Sequence, residues 1–328
     1  MRALVYEAPH AMPMRDIPVP TIQPDEVLIR VAYSGICGSE LSGYVGKNAL
    51  RKPPLIMGHE FSGWIEAIGS AVTRSDLRVE MEVTANPLLS CGQCAYCLAG
   101  RQNLCPDRKL LSASLPGSNA EYVAVRASTL HALPADMPLT TGALVEPAAC
   151  ALRAAKLAQP TPERAALVVG AGPIGLLTIQ ALKDRGSKTI YAADTNPRRL
   201  EMAASLGATP VALDDIRKSV DIAIDAVGVP AVRAGCVAAT RSGGRVVWVG
   251  LHDANATLDV NDLIRREIES VGSFAYTALD FADALHALAE GRLGLPIAWT
   301  LIEPLERGAA CFEALIDGAS TAKIWLQP

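Results

Sequence analysis

Three short stretches of the chain hold side chains whose types and spacing could do chemistry. In CGQCAYCLAGRQNLC, Cys91, Cys94, Cys97 and Cys105 follow a C-x2-C-x2-C-x7-C spacing. A loop spaced in this way can fold back and bring four thiolates to one tetrahedral zinc ion at about 2.3 Å. Such a site has no open position, so its expected role is structural, stabilising a lobe at about residues 88–108 that supplies little apolar surface of its own. In SGICGSE and PPLIMGHEFSG, Cys37, His59 and Glu60 are a soft, a borderline and a hard donor. That mixture suits a catalytic zinc that keeps one position for water or substrate. If Glu60 stays outside the coordination sphere, Glu146 in GALVEPAAC is the next donor, because a carboxylate in an apolar stretch is costly to bury unless it is paired or metal-bound. Read singly, each has a plainer role: Cys37 as a core thiol, His59 as a hydrogen-bonded ring, Glu146 as a helix N-terminal acid.

The third stretch is AALVVGAGPIGLLTIQALKDRG. An apolar strand at 165–169 runs into Gly170, Gly172, Pro173, Ile174 and Gly175, and a helix follows. This is a G-x-G-x-x-G turn in the strand-turn-helix setting that dinucleotide binding requires, with pyrophosphate at the helix N-terminus. Asp194 ends the next strand where an acid meets the ribose hydroxyls, which predicts NAD over NADP. Arg198 and Arg199 pull the other way, since an arginine can accommodate a 2′-phosphate.

The elements that must position these groups are visible in outline. With 328 residues, the chain has room for about two domains. Before Pro160, β-like runs such as EVLIRVAYSG and GWIEAIG are broken by proline and glycine, which predicts a β-rich lobe. After it, six apolar runs, the strand at 165–169, KTIYAAD, TPVAL, VDIAIDAVG, GRVVWVG and ESVGSFA, alternate with helical or loop segments, the count for a doubly wound parallel sheet. Asn196 and Pro197 should cap a helix that stops at Gly207, and the connection from Asp214 to Val220 is abbreviated. The chain after Tyr276 is expected to return to the first lobe, so the domains read 1–149, 150–275 and 276–328.

Net charge is −4 without a basic block, so nucleic acid and anionic membrane are poor partners. The start lacks the apolar core of a signal peptide and no run is long enough to span a bilayer, which predicts a cytoplasmic chain. Thiols are reduced in that compartment, so clustered cysteines there bind metal rather than pair.

Together, CGSE from Cys37 to Glu40, GHEFSG with Gly69 and Val72 in spacing, the four-cysteine lobe, VEP at 145–147 and GAGPIG resemble, over essentially the whole chain, the zinc-containing medium-chain dehydrogenase/reductases. The likeness is to their sorbitol, threonine and galactitol-phosphate branch. It implies an α/β fold: a Rossmann domain, a discontinuous GroES-like catalytic domain, and a cleft for zinc and nicotinamide. It further implies two zinc ions per chain, NAD, a small alcohol or ketone as substrate, and a homodimer or homotetramer paired through the strand after IRREIES. By resemblance Cys37, His59 and Glu146 bind the catalytic zinc, Glu60 exchanges with them or stays just outside, and Ser39 relays the alcohol proton. The implied reaction is oxidation of a secondary alcohol (diol, polyol or cyclitol) to a ketone. An amino alcohol such as threonine is the alternative substrate. A non-catalytic dinucleotide-binding regulator is the alternative of another class, against which the complete donor set argues.

Three positions depart from the family pattern. Ser42 stands where many relatives carry a proton-passing histidine. Glu40 replaces the commoner aspartate and is expected to sit behind the ligands and tolerate change, and Ala275 replaces an arginine found in polyol dehydrogenases. Cys150, Cys236 and Cys311 read as small core side chains, His10, His131, His252 and His286 have no ligand spacing, and IRREIES reads as a solvated helix end. Tyr44 and Phe274 read equally as pocket walls or core aromatics.

Overall fold

The computed structural model describes all of residues 1–328, which separate into two units. The first comprises Met1–Glu146, Thr277–Ala289 and Pro296–Pro328; the second comprises Pro147–Tyr276 and Glu290–Leu295.

The first unit is built on the strand Glu26–Gly35, whose apolar side chains are mostly buried. It anchors a seven-stranded sheet with the spatial order Leu130–Ala132, Glu82–Ala85, Glu60–Ile68, Glu26–Gly35, Lys323–Gln327 and Thr300–Pro304, and Tyr122–Arg126 pairs with Glu26–Gly35 as well. One core cluster gathers Val27, Ile29, Phe61, Ile65 and Val123. Another gathers Leu4, Tyr6, Tyr44, Met57, Phe312 and Leu326. Tyr44 is therefore a core aromatic, packed on Phe312 with its hydroxyl on Glu313 at 2.8 Å. The register places Glu60 opposite Gly35, which in turn faces Trp325 of the last strand. Thus two distant segments, each carrying a charged residue, meet at the end of one strand.

In the second unit six parallel strands lie in the order Thr209–Pro210, Ile190–Ala193, Ala166–Val169, Val220–Asp225, Thr240–Trp248 and Glu269–Gly272. In chain order this is 3-2-1-4-5-6, the doubly wound arrangement. All six side chains of Val220–Asp225 are buried, as a strand covered on both faces requires. The helices Pro173–Asp184, Pro197–Ser205 and Pro230–Ala239 each begin on a proline, whose missing N–H costs nothing there. Asn196 caps the second of them by accepting from the Arg198 and Arg199 amides, and Gly207 ends it at φ +91°. Between Asp214 and Val220 there is only a 3-10 turn, Leu213–Asp215. Residues 290–295 join this unit through Gln180, which bonds Gly294, and through the Arg292–Asp184 ion pair.

IRREIES is an exposed helix end at most of its positions, as expected, with Arg266 the buried exception. Arg266 is 7% exposed and donates to the carbonyls of Thr240 and Val237, so this arginine ties a helix end to a strand start. No helix is long and apolar enough to cross a membrane.

Candidate active site and metal centres

Cys37 precedes the short helix Gly38–Tyr44 in an extended conformation, which leaves its thiol beside the first turn. Ser39 and Glu40 lie in that turn, and the Ser39 hydroxyl donates to Cys37 Sγ at 3.3 Å. Glu40 is fully buried. One of its oxygens accepts from the Gly58 amide at 2.8 Å, from His59 Nδ1 at 2.7 Å and from the Ser112 hydroxyl at 2.6 Å. Burial raises the Glu40 pKa, but the charges of His59 and Arg51 and these bonds outweigh it and bring it down to about 2. A residue with three donors on one oxygen is not a tolerant position, which corrects the expectation for Glu40.

Burial also opposes a charged His59, yet the neighbouring Glu40 and Cys37 charges push its pKa well above the ordinary value. With Nδ1 committed to Glu40, Nε2 is the nitrogen left for a metal. The Cys37, His59 and Glu60 ligand atoms all lie within 4.8 Å of one another. Glu146, in the first turn of Val145–Ala158 and 8% exposed, lies outside that group. A partly buried thiol, a buried imidazole and a buried carboxylate that converge, with a second carboxylate holding the imidazole, form a set that fits zinc.

Sequence reasoning missed Lys323. It is 2% exposed, forms an ion pair with Glu60 and donates to the Ile36 carbonyl at 2.9 Å. Burial lowers its pKa, but Glu60, Cys37 and Glu146 together raise it above the ordinary lysine value, so Glu146 acts on the same ammonium. Gly35 makes room for this pair: a β-carbon there would stand 2.6 Å from Glu60 Oε2 and 2.8 Å from Lys323 Cε. The available signal was a lone lysine in the apolar run AKIWL.

The four-cysteine lobe is closed by the short ladder of Leu88–Leu89 with Lys109–Leu110. Sulfur atoms on a tetrahedral zinc at about 2.3 Å stand about 3.8 Å apart. Here Cys91 and Cys97 are 3.9 Å apart and Cys94 and Cys97 are 3.5 Å apart, and the ligand atoms of all four cysteines group within 4.8 Å, so this lobe also fits zinc. The Gln93 and Cys94 amides bring the Cys91 thiol down to about 7, the direction that favours thiolate.

At the dinucleotide turn, Gly170 has φ +97°, and Gly175 packs so closely on the Gly170 carbonyl that no side chain fits. Gly172 faces open space, room that an approaching pyrophosphate needs. Asp194 accepts from the Ala171 amide at 2.7 Å and from the Asn196 amide at 2.8 Å, one bond on each oxygen, and so ties the glycine turn to the next helix. Arg199 lies half-buried on that helix. The turn fits a dinucleotide.

Two family models match the chain: the alcohol dehydrogenase GroES-like domain over residues 23–135 and the zinc-binding dehydrogenase over 173–290. Sorbitol dehydrogenase of Bacillus subtilis (strain 168) is 34% identical over 309 residues, 89% of this chain and 86% of that protein. D-arabitol-phosphate dehydrogenase of Enterococcus avium is 33% identical, covering 97% and 95%. Among solved structures, an alcohol dehydrogenase of Escherichia coli CFT073 complexed with NADH superposes with a TM-score of 0.92 at 27% identity, covering 100% of this chain and 99% of that one. The chain belongs to the zinc-containing medium-chain dehydrogenase/reductase family. Its activity is that of a zinc-dependent, NAD(P)-linked alcohol dehydrogenase.

Proposed function

We propose that the enzyme reversibly oxidises a secondary alcohol of diol, polyol or cyclitol type to the ketone, with NAD as hydride acceptor. Cys37, His59 and Glu146 are the zinc ligands in this reading, Glu60 exchanges with them or stays just outside, and Ser39 relays the alcohol proton, accepting it while releasing its own to solvent. The observation that carries it is the convergence of Cys37, His59 and Glu60 within 4.8 Å, with the Ser39 hydroxyl 3.3 Å from the cysteine sulfur. Bound zinc supplies Lewis acidity, which lowers the pKa of an alcohol.

The chain's own residues do the rest. Glu40 holds the His59 ring in one tautomer, Lys323 pairs with Glu60 in a buried place, and Ser39 offers a partly exposed hydroxyl beside the donors. Gly172 and the helix behind it receive pyrophosphate, and the remaining lone pairs of Asp194 accept ribose hydroxyls while its charge disfavours a 2′-phosphate. The sorbitol and arabitol-phosphate relatives support the polyol class. Ala275, at φ +46°, offers no side-chain donor to a polyhydroxy chain, which favours a short diol or a substrate held by other groups. The strand Glu269–Gly272 is paired on one side only, and Val260 and Ile264 are exposed nearby in sequence, which supports a homo-oligomer formed through that edge. Eight free thiols fit a cytoplasmic setting.

The test is NADH or NADPH formation by the purified zinc-loaded protein on secondary alcohols, vicinal diols, polyols, polyol phosphates, cyclitols and amino alcohols. Turnover of a diol or polyol with NAD supports the reading. Turnover confined to amino alcohols, or to NADP, overturns the substrate or cofactor part of it.

A further inference from the structure

Arg51 is 4% exposed, yet no carboxylate lies within ion-pair distance of it. Its charge acts on Glu40, but that acid has already committed one oxygen to three donors. A guanidinium so deeply buried normally has a paired charge, because removing it from water is costly. Instead its Nη2 donates to the Ser39 hydroxyl oxygen at 3.0 Å, and its Nε–H has no hydrogen-bond partner.

Two further features build this contact. Gly43 lies inside the helix Gly38–Tyr44, where glycine is unfavourable, and a β-carbon at that position would overlap Cδ of Arg51. The glycine is thus the gap through which the arginine stem passes. Asn48, three residues earlier in the same loop, bonds the Ser39 carbonyl at 3.4 Å and the Leu50 amide at 3.1 Å, and the Arg51 amide bonds the Asn48 carbonyl at 3.1 Å. The loop therefore folds back on the residue that precedes Glu40.

A serine hydroxyl has one hydrogen and two lone pairs. Here the hydrogen points to Cys37 Sγ and one lone pair takes the Arg51 N–H. One lone pair remains, and only a donor can use it. An alcohol substrate is such a donor.

We propose that Arg51 is a positioning residue for the dehydrogenase reaction: through the gap at Gly43 it fixes the resting Ser39 hydroxyl, its hydrogen on the Cys37 sulfur and its one free lone pair towards the substrate hydroxyl, so that Ser39 accepts the alcohol proton as it releases its own to water. The inference rests on the roles of Cys37 and Ser39 given above. It assigns a task to a buried cation that no motif in the chain marks.

The test uses Arg51→Gln, Arg51→Lys and Gly43→Ala in the zinc-loaded enzyme, each also in a Ser39→Ala background. Arg51→Gln takes one counter-charge from the surroundings of Glu40 but leaves it the His59 charge and its three hydrogen-bond donors, so the fold is expected to hold. The kcat should fall about 10- to 100-fold with KM within about twofold, the scale seen when a group that orients a site residue is lost. Arg51→Lys should recover part of the loss, because it restores the charge but not the planar fork. Gly43→Ala should reproduce the loss without removing any polar group. In the Ser39→Ala background, Arg51→Gln should add less than about twofold, since its orienting contact with Ser39 is already gone and Glu40 still holds His59 with its three donors in place.

A second readout does not depend on turnover. With cobalt in the Cys37 site, the thiolate-to-metal charge-transfer band should shift in the same direction in Arg51→Gln, Gly43→Ala and Ser39→Ala, because each disturbs the hydrogen bond on the sulfur. Full kcat in Arg51→Gln, an undiminished loss in the Ser39→Ala background, or an unmoved band each overturns the proposal. A wild-type protein lacking both turnover and band overturns the underlying site reading and this inference with it; failure of Arg51 alone appears only in the variants.

Discussion

At the scale of single residues, the site is a balance of buried charge. Glu40 holds His59, and Lys323 holds Glu60, with no more than 4% exposure at any of the four. Glu40→Gln keeps the volume but removes the charge that orients the imidazole. Zinc affinity at the Cys37 site should then fall about 10- to 100-fold, measured by competition with a chelator, and unchanged affinity would count against the role assigned to Glu40. The pH dependence follows from its lowered pKa. A carboxylate depressed from 4.5 to about 2 contributes stability that is present above pH 4.5 and is lost as pH falls towards 2. The zinc-free wild type should therefore lose stability over that window more steeply than Glu40→Gln, as read by denaturant titration at several pH values. Lys323 has the opposite sign: its pKa is raised above 10.5, so its contribution is complete below 10.5 and is lost as pH rises through the higher folded value. Lys323→Met leaves Glu60 buried without its partner, a change that typically costs about 3–5 kcal/mol. Zinc should recover much of that loss by giving the carboxylate a new counter-charge. Equal stability of the two metal-free proteins would contradict the pairing.

At the scale of elements, the glycine turn separates two functions that a motif merges. Gly175 packs on the Gly170 carbonyl, so Gly175→Ala must push backbone against backbone, an overpacking cost of about 1–3 kcal/mol. Gly172 has an ordinary φ of −74° and open space in front of it. Gly172→Ala should fold with a melting temperature close to wild type while weakening dinucleotide binding about tenfold, roughly 1.4 kcal/mol, because the methyl occupies the approach of the pyrophosphate. Calorimetry on the two variants checks this: an equal loss of stability in both, or unchanged NAD affinity in Gly172→Ala, would refute the division of labour.

At the scale of the whole molecule, two donor clusters of different chemistry predict two metal ions with different roles. Cys97→Ser should lose the lobe's zinc and become open to proteolysis within residues 91–105, where Tyr96 and Leu98 are already exposed, while the Cys37 site keeps its metal. Cys37→Ser should do the reverse, losing turnover with the lobe intact. Metal analysis together with limited proteolysis checks both, and loss of both metals from either variant would mean the sites are not independent.

How much of this was legible in the sequence differs by kind of feature. Local chemistry was legible: the spacing of Cys91, Cys94, Cys97 and Cys105, the GAGPIG turn between an apolar strand and an amphipathic helix, and the six strand runs of the second unit are short-range patterns, set by backbone geometry within a few residues. Cys37, His59 and Glu60 were legible as donors, and the sheet then brought them together. What only the tertiary structure decided was the partner of each charge. Lys323 reaches Glu60 across 263 positions of sequence because their two strands flank the same strand at Gly35, Arg51 reaches Ser39 through Gly43, and Glu40 meets Ser112 from another loop. Burial determines which charges must pair, and burial is a property of the packed sheet rather than of any window of the chain.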